Sequence, residues 1–163
     1  MTVTVTLVVG ADGSTSKNGN SAGVSSAADR TAFLARRRLA DCILIGGNTA
    51  RTEPYHRTPV PVVVLSKSLI NPLADNRLAH CWNLSPVKAI ERASTTFGPN
   101  IHVEAGVAII QELIAANLVD ALELSITEVV GGEDVIDVSQ LLSHFSIQSE
   151  KNEAGTRFIS ARK

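Results

Sequence analysis

The sequence predicts an α/β fold with a mostly parallel central sheet, flanking helices and an antiparallel edge at its C-terminal end. Two apolar runs, at residues 42–45 and 60–65, are continuous, which is typical of strands buried on both faces of a parallel sheet. Helical segments separate the strands along most of the chain, as in α/β proteins. From Leu122 to Thr127 apolar and polar residues alternate, which predicts a half-exposed strand.

The N-terminal part of the chain contains a strand, a long loop and a helix. Apolar side chains alternate with threonines from Thr2 to Val9, which predicts a strand that ends near Gly10. The polar stretch at residues 12–23 is too long for a tight hairpin and suits a binding loop. Ser26 is placed to cap a helix that runs to about Leu39 and ends in three arginines, where cations complement the helix dipole.

The rest of the chain continues this alternation of helices and strands. Ser85 followed by Pro86 is typical of a helix start, because serine caps the first turn and proline suits its first position. Residues 69–84 give no clear prediction. The further predicted elements are a helix at 87–93, a strand at 101–103, a helix from Val107 to about Asn117, and strands near 145–150 and 156–161.

Composition and charge exclude several classes of function. Hydrophobic residues make up 44% of the 163 residues and charged residues 19%, so we expect one folded domain over residues 1–163 and exclude disorder. A net charge of −1 argues against a general nucleic-acid binder. No basic segment precedes the first strand and no apolar run reaches the length of a membrane span, which predicts a cytoplasmic protein without a membrane partner.

The residues for metal, disulfide and common nucleotide motifs are not arranged for those roles. Cys42 and Cys81 form no CxxC pair, which favours two free thiols. The 4 histidines show no ligand spacing, so we expect no metal. The sequence contains neither a P-loop nor a GxGxxG dinucleotide fingerprint.

Small, hydroxyl-bearing and cationic residues follow three of the predicted strands. Ligands of parallel sheets bind beyond the carboxyl ends of the strands, and a helix start with glycine lets a phosphate approach the backbone amides. We therefore expect phosphate binding at three strand ends, although a plain turn at Gly46-Gly47 and a solvated turn at residues 66–68 would explain two of them individually. They carry Gly46, Gly47, Thr49 and Arg51 after the first buried run, Ser66 and Lys67 after the second, and Ala105 and Gly106 after the strand at 101–103.

Three carboxylates, Asp12, Glu53 and Glu104, are expected near the same strand ends. Glu104 directly follows an apolar strand, so its side chain is expected to point into the site. There it could accept a hydrogen bond from an amino or imino group, or act as a general acid if burial raises its pKa. A structural carboxylate with satisfied hydrogen bonds explains its position equally well, and the same caution applies to Asp12 and Glu53.

Six segments combine these features in a characteristic order. They are Asp12-Gly13, Val24-Ser25-Ser26, DCILIGGNTARTEPY at 41–55, Val103-Glu104-Ala105-Gly106, Leu118-Val119-Asp120 and Gly131-Gly132. Together they resemble the reductase domain of bacterial riboflavin biosynthesis over nearly the whole chain. The resemblance implies a dihydrofolate reductase-like fold and the NADPH-dependent reduction of 5-amino-6-(5-phosphoribosylamino)uracil to its ribitylamino product. It also implies a homodimer, for which the apolar strand from Leu122 to Ile126, expected near an edge of the sheet, offers a surface. No deaminase domain is expected to be attached.

The resemblance assigns roles to individual residues. The implied cofactor ligands are Gly46, Gly47, Thr49, Arg51, Ser66, Lys67, Ala105, Gly106 and Val107. The implied substrate side comprises Asp12, Ser25, Glu53 and Glu104, with Arg37 and Arg57 as candidates for the ribose phosphate. Glu53 or Glu104, with water, would supply or position the proton.

The chain departs from the family pattern at three residues and in one segment. Gly10 stands where the family has serine, Ser14 where it has lysine, and Ala105 where it has glycine. The region at 66–101 is also shorter than the resemblance implies. Two alternatives therefore stay open: a related reductase of a pterin or another heterocycle, and a non-catalytic member that binds nucleotide or serves as an assembly partner.

Overall fold

The chain divides into two units, each built from two separate stretches of sequence. The computed structural model describes residues 1–68 and 70–163. That residues 1–163 form one folded domain stays a prediction. The first unit comprises Met1–Val5 with Arg36–Val119, and the second comprises Thr6–Ala35 with Asp120–Lys163.

Strands and helices alternate along most of the described chain. The strands are β1 (Thr2–Val9), β2 (Ser14–Ser16), β3 (Cys42–Gly46), β4 (Val62–Leu65), β5 (Ala79–Trp82), β6 (Asn100–Val103), β7 (Ala121–Ile126), β8 (Glu133–Val135), β9 (Ile147–Glu153) and β10 (Thr156–Arg162). The helices are α1 (Ala27–Arg37), α2 (Gly47–Thr52), α3 (Pro86–Thr96), α4 (Val107–Ala115) and α5 (Val138–Leu142), with a 3₁₀ turn at Ser21–Gly23.

The first unit contains a parallel sheet in the order β5-β4-β3-β6-β1. Leu44 of β3 lies opposite Val63 of β4 on one side and Val103 of β6 on the other. The β3 side chains from Ile43 to Ile45 are fully buried. Burying an aliphatic side chain of this size is worth roughly 1.5–3 kcal/mol, so the continuous apolar run stabilises a central strand. The parallel sheet predicted from the sequence is confirmed.

The strand β5 lies at the edge of this parallel sheet, within the region that gave no clear prediction. Its four residues, Ala-His-Cys-Trp, include no β-branched side chain, so local preference does not mark a strand there. The strand forms because Val62–Leu65 of β4 pairs with it in parallel register. Trp82 then stacks on Phe97 of the α3 C-terminus, with 6.0 Å between the ring centroids, which fastens the strand against that helix.

The second unit contains antiparallel strands, as predicted for the C-terminal edge. β10 pairs with β7 on one side and with β9 on the other, both antiparallel, and the short strands β2 and β8 pair separately. The expectation of a half-exposed β7 near an edge is wrong. Ser125 is only 1% exposed, and β7 lies between β1 and β10, so the segment from Leu122 to Ile126 offers no edge surface for a dimer. The homodimer itself stays a prediction.

The predicted capping residues mark the starts of α1 and α3 correctly, whereas α1 and α4 end two residues earlier than predicted. The Ser26 hydroxyl accepts from the amide of Asp29 at 3.1 Å, and Ser85 accepts from that of Lys88 at 3.4 Å. The helix α1 ends at Arg37 rather than at Leu39. The helix α4 ends at Ala115, just before Asn117 adopts a left-handed conformation with φ of 59°.

Cys42 is a buried free thiol, and Cys81 is a half-buried free thiol. Burial raises the pKa of the Cys42 thiol to about 12. Within residues 1–68 and 70–163, no helix is both long and apolar enough to cross a membrane.

Candidate active site

The carboxyl ends of β3, β4 and β6 lie side by side in the first unit. Gly46 at the end of β3 is opposite Leu65 at the end of β4. The amide of Glu104, directly after β6, donates to the Leu44 carbonyl of β3 at 2.9 Å. We call the residues that follow these three strands, Gly46 with Gly47, Ser66, and Ala105 with Gly106, the carboxyl edge.

Close packing joins the first two parts of the carboxyl edge. A Cβ built on Gly47 would lie 3.2 Å from Arg51 Nη1 and 3.3 Å from Ser66 Oγ. A Cβ built on Gly46 would lie 3.0 Å from Ile109 Cδ1, which belongs to α4. Both glycines therefore let the chain pass close to its neighbours, and the residues predicted at separate strand ends are brought together.

The start of α4 is open to a ligand. Gly106 is its N-cap, and a glycine has no side chain that could cap this turn. Gly106 is exposed, and no described atom lies within 4 Å of a Cβ built on it. Because amides in a first turn point outward and the helix dipole is positive there, an anion can approach this backbone directly.

The remaining predicted cofactor residues differ in how far they are exposed to solvent. Thr49 and Val107 are half-buried, and Ala105 of the carboxyl edge itself is buried. Arg51 and Lys67 are exposed. The Ser66 hydroxyl accepts from the Ser68 amide at 3.1 Å, which shapes the turn that carries Lys67. The edge therefore combines backbone donors with two cations.

Glu104 lies in a buried cluster with Arg37 and Tyr55. Arg37 Nη2 donates to Glu104 Oε2 at 2.7 Å, and Arg37 Nε is 3.0 Å from both carboxylate oxygens. The Tyr55 hydroxyl donates to the same Oε2 at 2.6 Å. The guanidinium carbon of Arg37 also lies 4.5 Å from the Tyr55 ring centroid. Glu104 is thus a carboxylate with satisfied hydrogen bonds, one of the two interpretations that the sequence left open.

The cluster holds a paired charge shielded from water. Burial alone would lower the pKa of Arg37, but hydrogen bonding and attraction from Glu104 outweigh burial and raise it. Burial, and then the negative charge of Glu104, raise the pKa of Tyr55 well above its usual range. Since the Arg37 side chain is 6% exposed and paired, it presents no open guanidinium to a phosphate. Arg57, the other candidate for that contact, is exposed.

Tyr55 has no role among those predicted from the sequence. It is the only tyrosine of the chain, and it lies in a polar and proline-containing segment between α2 and β4. A lone aromatic residue flanked by the candidates Glu53 and Arg57 was the available signal. Its partner Glu104 is 49 positions away, so the contact itself has no local signature.

Asp12 in the second unit organises a turn. Its carboxylate accepts from the Ser14 hydroxyl at 2.6 Å, from the Ser14 amide at 3.1 Å and from the Gly131 amide at 2.7 Å. The hydrogen bond from the Ser14 side chain, followed by that from Gly131, lowers the pKa of Asp12 to about 2. The loop predicted here is partly ordered, because β2 begins at Ser14 and pairs with β8.

Ser25, also in the second unit, precedes α1. Its hydroxyl donates to Asp29 Oδ2 at 2.6 Å, and Asp29 is buried. Asp12 and Ser25, the two predicted substrate ligands in this unit, therefore each have hydrogen-bond partners within the protein.

Comparison with protein families assigns the chain to one of them. Its residues 1–154 match the family described as the RibD C-terminal domain. The chain belongs to the RibD C-terminal domain family. This match confirms the resemblance to the reductase domain of bacterial riboflavin biosynthesis. A comparison with curated proteins gives no match.

Solved structures of RibD-like proteins share the fold. A pyrimidine reductase-like protein from Corynebacterium diphtheriae superposes with a TM-score of 0.75 at 17% identity, covering 99% of this chain and 91% of that one. A deaminase/5-amino-6-(5-phosphoribosylamino)uracil reductase from Thermotoga maritima gives a TM-score of 0.72 at 14% identity, covering 99% of this chain and 56% of the other. Acinetobacter baumannii RibD gives 0.72 at 13% identity, covering 99% and 57%. The fold expected from the family resemblance is confirmed.

Two departures from the family pattern, Gly10 and Ser14, lie next to each other in this structure. A Cβ built on Gly10 would lie 2.4 Å from the Val129 carbonyl oxygen and 2.7 Å from Ser14 Oγ. The Ser14 hydroxyl thus occupies space beside Gly10 that a side chain at position 10 would need. The absence of a side chain at Gly10 is a requirement of the turn that Asp12 organises.

Proposed function

We propose that this protein is an NADPH-dependent reductase of 5-amino-6-(5-phosphoribosylamino)uracil that yields the ribitylamino product. The observation that carries the proposal is the carboxyl edge, where Gly46, Gly47 and Ser66 lie close together and Gly106 forms the open N-cap of α4. Membership of the RibD C-terminal domain family supports a nicotinamide-dependent reductase.

The residues of the carboxyl edge fit a phosphorylated dinucleotide. Gly106 leaves open space above the first turn of α4, which suits the close approach of a pyrophosphate. Arg51 and Lys67 are exposed cations that would hold further phosphate charge, with Lys67 and Ser66 suited to the 2′-phosphate of NADPH. Thr49, Ala105 and Val107 would complete the lining. When bound, NADPH supplies the hydride.

The reduction places one hydride on C1′ of the ribosyl group while the bond from C1′ to the ring oxygen breaks. The ring oxygen gains a proton and becomes a hydroxyl, so the reaction consumes one hydride and one proton. We assign the handling of this proton, with water, to Glu53, which is half-buried. Glu104 is already held by Arg37 and Tyr55, so we assign it to ordering the site.

Substrate binding would draw on exposed groups. Arg57 is the favoured ligand of the ribose phosphate, because Arg37 is buried in its pair with Glu104. Asp12 and Ser25 stay proposals as ligands of the substrate. Homodimer formation, which the family resemblance implies, and a cytoplasmic location are likewise proposals.

A substrate panel with NADPH oxidation as the readout tests this function. We expect turnover with the phosphoribosylamino substrate, and little with its dephosphorylated form or with a dihydropterin. Arg57→Ala should raise KM for the phosphorylated substrate by about tenfold, since charge-assisted bonds to phosphate are strong. Arg38→Ala, an exposed arginine near the end of α1, is the matched control and should leave KM unchanged. Preferred turnover of a dihydropterin would identify a different reductase, and NADPH binding without any turnover would identify a non-catalytic member.

A further inference from the structure

The segment between α2 and β4 is fastened to the rest of the first unit through Tyr55. Its hydroxyl donates to Glu104 Oε2 at 2.6 Å, and its backbone carbonyl accepts from Asn76 Nδ2 at 3.0 Å. The Arg37 guanidinium carbon lies 4.5 Å from its ring centroid. Tyr55 is 4% exposed, so water does not compete for these contacts.

The residues on either side of Tyr55 are those assigned to chemistry. Glu53 precedes it by two positions and Arg57 follows it by two positions. Glu104, which the Tyr55 hydroxyl contacts, comes directly before Ala105 and Gly106 of the carboxyl edge. Tyr55 is therefore the point where the segment carrying Glu53 and Arg57 is tied to the strand end that precedes the proposed cofactor helix.

We propose that Tyr55 is a positioning residue of the reductase, and that its hydroxyl, through Glu104, holds Glu53 and Arg57 at their working distance from the carboxyl edge. This inference rests on the proposed function. A buried phenol hydroxyl needs a hydrogen-bond partner in any role, so the informative feature is which partner it has, a carboxylate directly before the carboxyl edge. Phenylalanine would bury the same ring without this contact. Here the hydroxyl reaches a carboxylate that a guanidinium already neutralises, so its removal leaves no unpaired charge.

The kinetic test replaces Tyr55 with phenylalanine and compares it with Ser85→Ala. Ser85 caps α3, away from the carboxyl edge in sequence, and its loss lowers stability alone. We expect Tyr55→Phe to lower kcat about tenfold or more, because small misplacements of reacting groups have large effects on rate. The Kd for NADPH should change less than about twofold, since its proposed ligands lie outside this segment. Ser85→Ala should change neither constant. An unchanged kcat in Tyr55→Phe, or a parallel loss of NADPH binding, would overturn the inference.

A second test uses the fact that Tyr55 is the only tyrosine, so phenolate absorbance reports on it alone. In the apo protein we expect its ionisation well above the usual pH range, and a lower pKa in Glu104→Gln, because the negative charge that opposes ionisation is gone. Burial also raises the pKa of Tyr55, so the comparison between the two proteins is decisive: an equal pKa in the wild type and in Glu104→Gln would show that the contact is absent and would contradict the inference. If Tyr55→Phe and Glu104→Gln are combined, kcat should fall no further than in Glu104→Gln alone, and additive losses would also contradict it.

The outcomes separate this inference from the proposed function. If the wild type binds no NADPH and turns over no substrate, the proposed function fails and the positioning role fails with it. If the wild type is an active reductase and Tyr55→Phe matches its kcat, only the positioning role fails.

Discussion

Arg37 and Glu104, 67 positions apart in the sequence, form a nearly water-free ion pair whose side chains are 6% and 2% exposed. Arg37 comes from the last turn of α1, and Glu104 comes from the end of β6. The pair therefore ties the end of a helix to the strand that leads into the carboxyl edge. A buried pair of this kind stabilises a particular arrangement chiefly because breaking it leaves a bare charge in the interior.

We predict that Glu104→Gln lowers the free energy of unfolding by about 3–5 kcal/mol, since Arg37 would stay buried without its counter-charge. Denaturant unfolding at neutral pH measures the change. The matched control is Glu150→Gln, because Glu150 also forms a two-point pair, with Arg157, but at 42% and 49% exposure. Water and salt screen that pair, so Glu150→Gln should lower the free energy of unfolding far less than Glu104→Gln does. Equal losses in the two variants would contradict this account of the buried pair.

A pair of glycine substitutions should give opposite results. Gly10→Ala places a methyl group 2.4 Å from the Val129 carbonyl oxygen, so it should lower the free energy of unfolding by about 1–3 kcal/mol. The methyl group of Gly106→Ala would meet no described atom within 4 Å, and the backbone φ of −64° suits alanine, so the free energy of unfolding should not change. Its methyl group should instead weaken NADPH binding by about tenfold, because it occupies the approach to the backbone amides. Thermal unfolding and NADPH titration of both variants separate the two effects.

The result that contradicts this glycine comparison is unchanged NADPH binding in Gly106→Ala. In that case the open space at the start of α4 would not be where the cofactor lies. An unaffected stability in Gly10→Ala would show that the turn near Asp12 adapts to a side chain.

Acid should reveal the contribution of Asp12. The folded-state pKa of Asp12 is about 2, below the reference value of 3.8, so its contribution to stability is present above the reference value and is lost as the pH falls towards 2. We predict that wild type and Asp12→Asn differ most in unfolding free energy near neutral pH and converge as the pH is lowered through this window. A difference that stays constant with pH would show that the carboxylate charge contributes nothing.

The two thiols should differ in reactivity. Burial raises the pKa of Cys42 to about 12, whereas Cys81 is half-buried. Because the thiolate is the reacting form, a disulfide reagent at mildly alkaline pH should modify Cys81 and spare Cys42 in the folded protein. In denaturant both thiols should react. Rapid modification of Cys42 in the native protein would show that β3 is less buried than described.

The parallel sheet could be predicted from sequence because its central strands need apolar residues on both faces. The runs in β3 and β4 carry that signal by themselves. The strands β2, β5 and β8 could not be predicted, since their residues are polar or mixed and they form only by pairing with distant partners. Short strands of this kind depend on tertiary context more than on local preference.

The carboxyl edge was predictable for a similar reason. Residues that follow parallel strands meet at one side of the sheet, so the sequence alone is enough to group Gly46, Ser66 and Gly106. The partners of Glu104 were not predictable. Arg37 had a sufficient local explanation at the end of a helix, and Tyr55 had none, so neither pointed to a carboxylate far away in the sequence.

The carboxyl edge as an NADPH site is tested most directly by calorimetric titration of the wild type with NADPH and with NADH, repeated for Lys67→Ala. We expect saturable binding of NADPH and binding of NADH that is weaker by about tenfold or more. The difference between the two nucleotides should be smaller in Lys67→Ala, because the exposed ammonium would pair with the 2′-phosphate. A Kd of about 1 mM corresponds to a binding free energy of about −4.1 kcal/mol. If neither nucleotide binds at about 1 mM, the carboxyl edge is not an NADPH site.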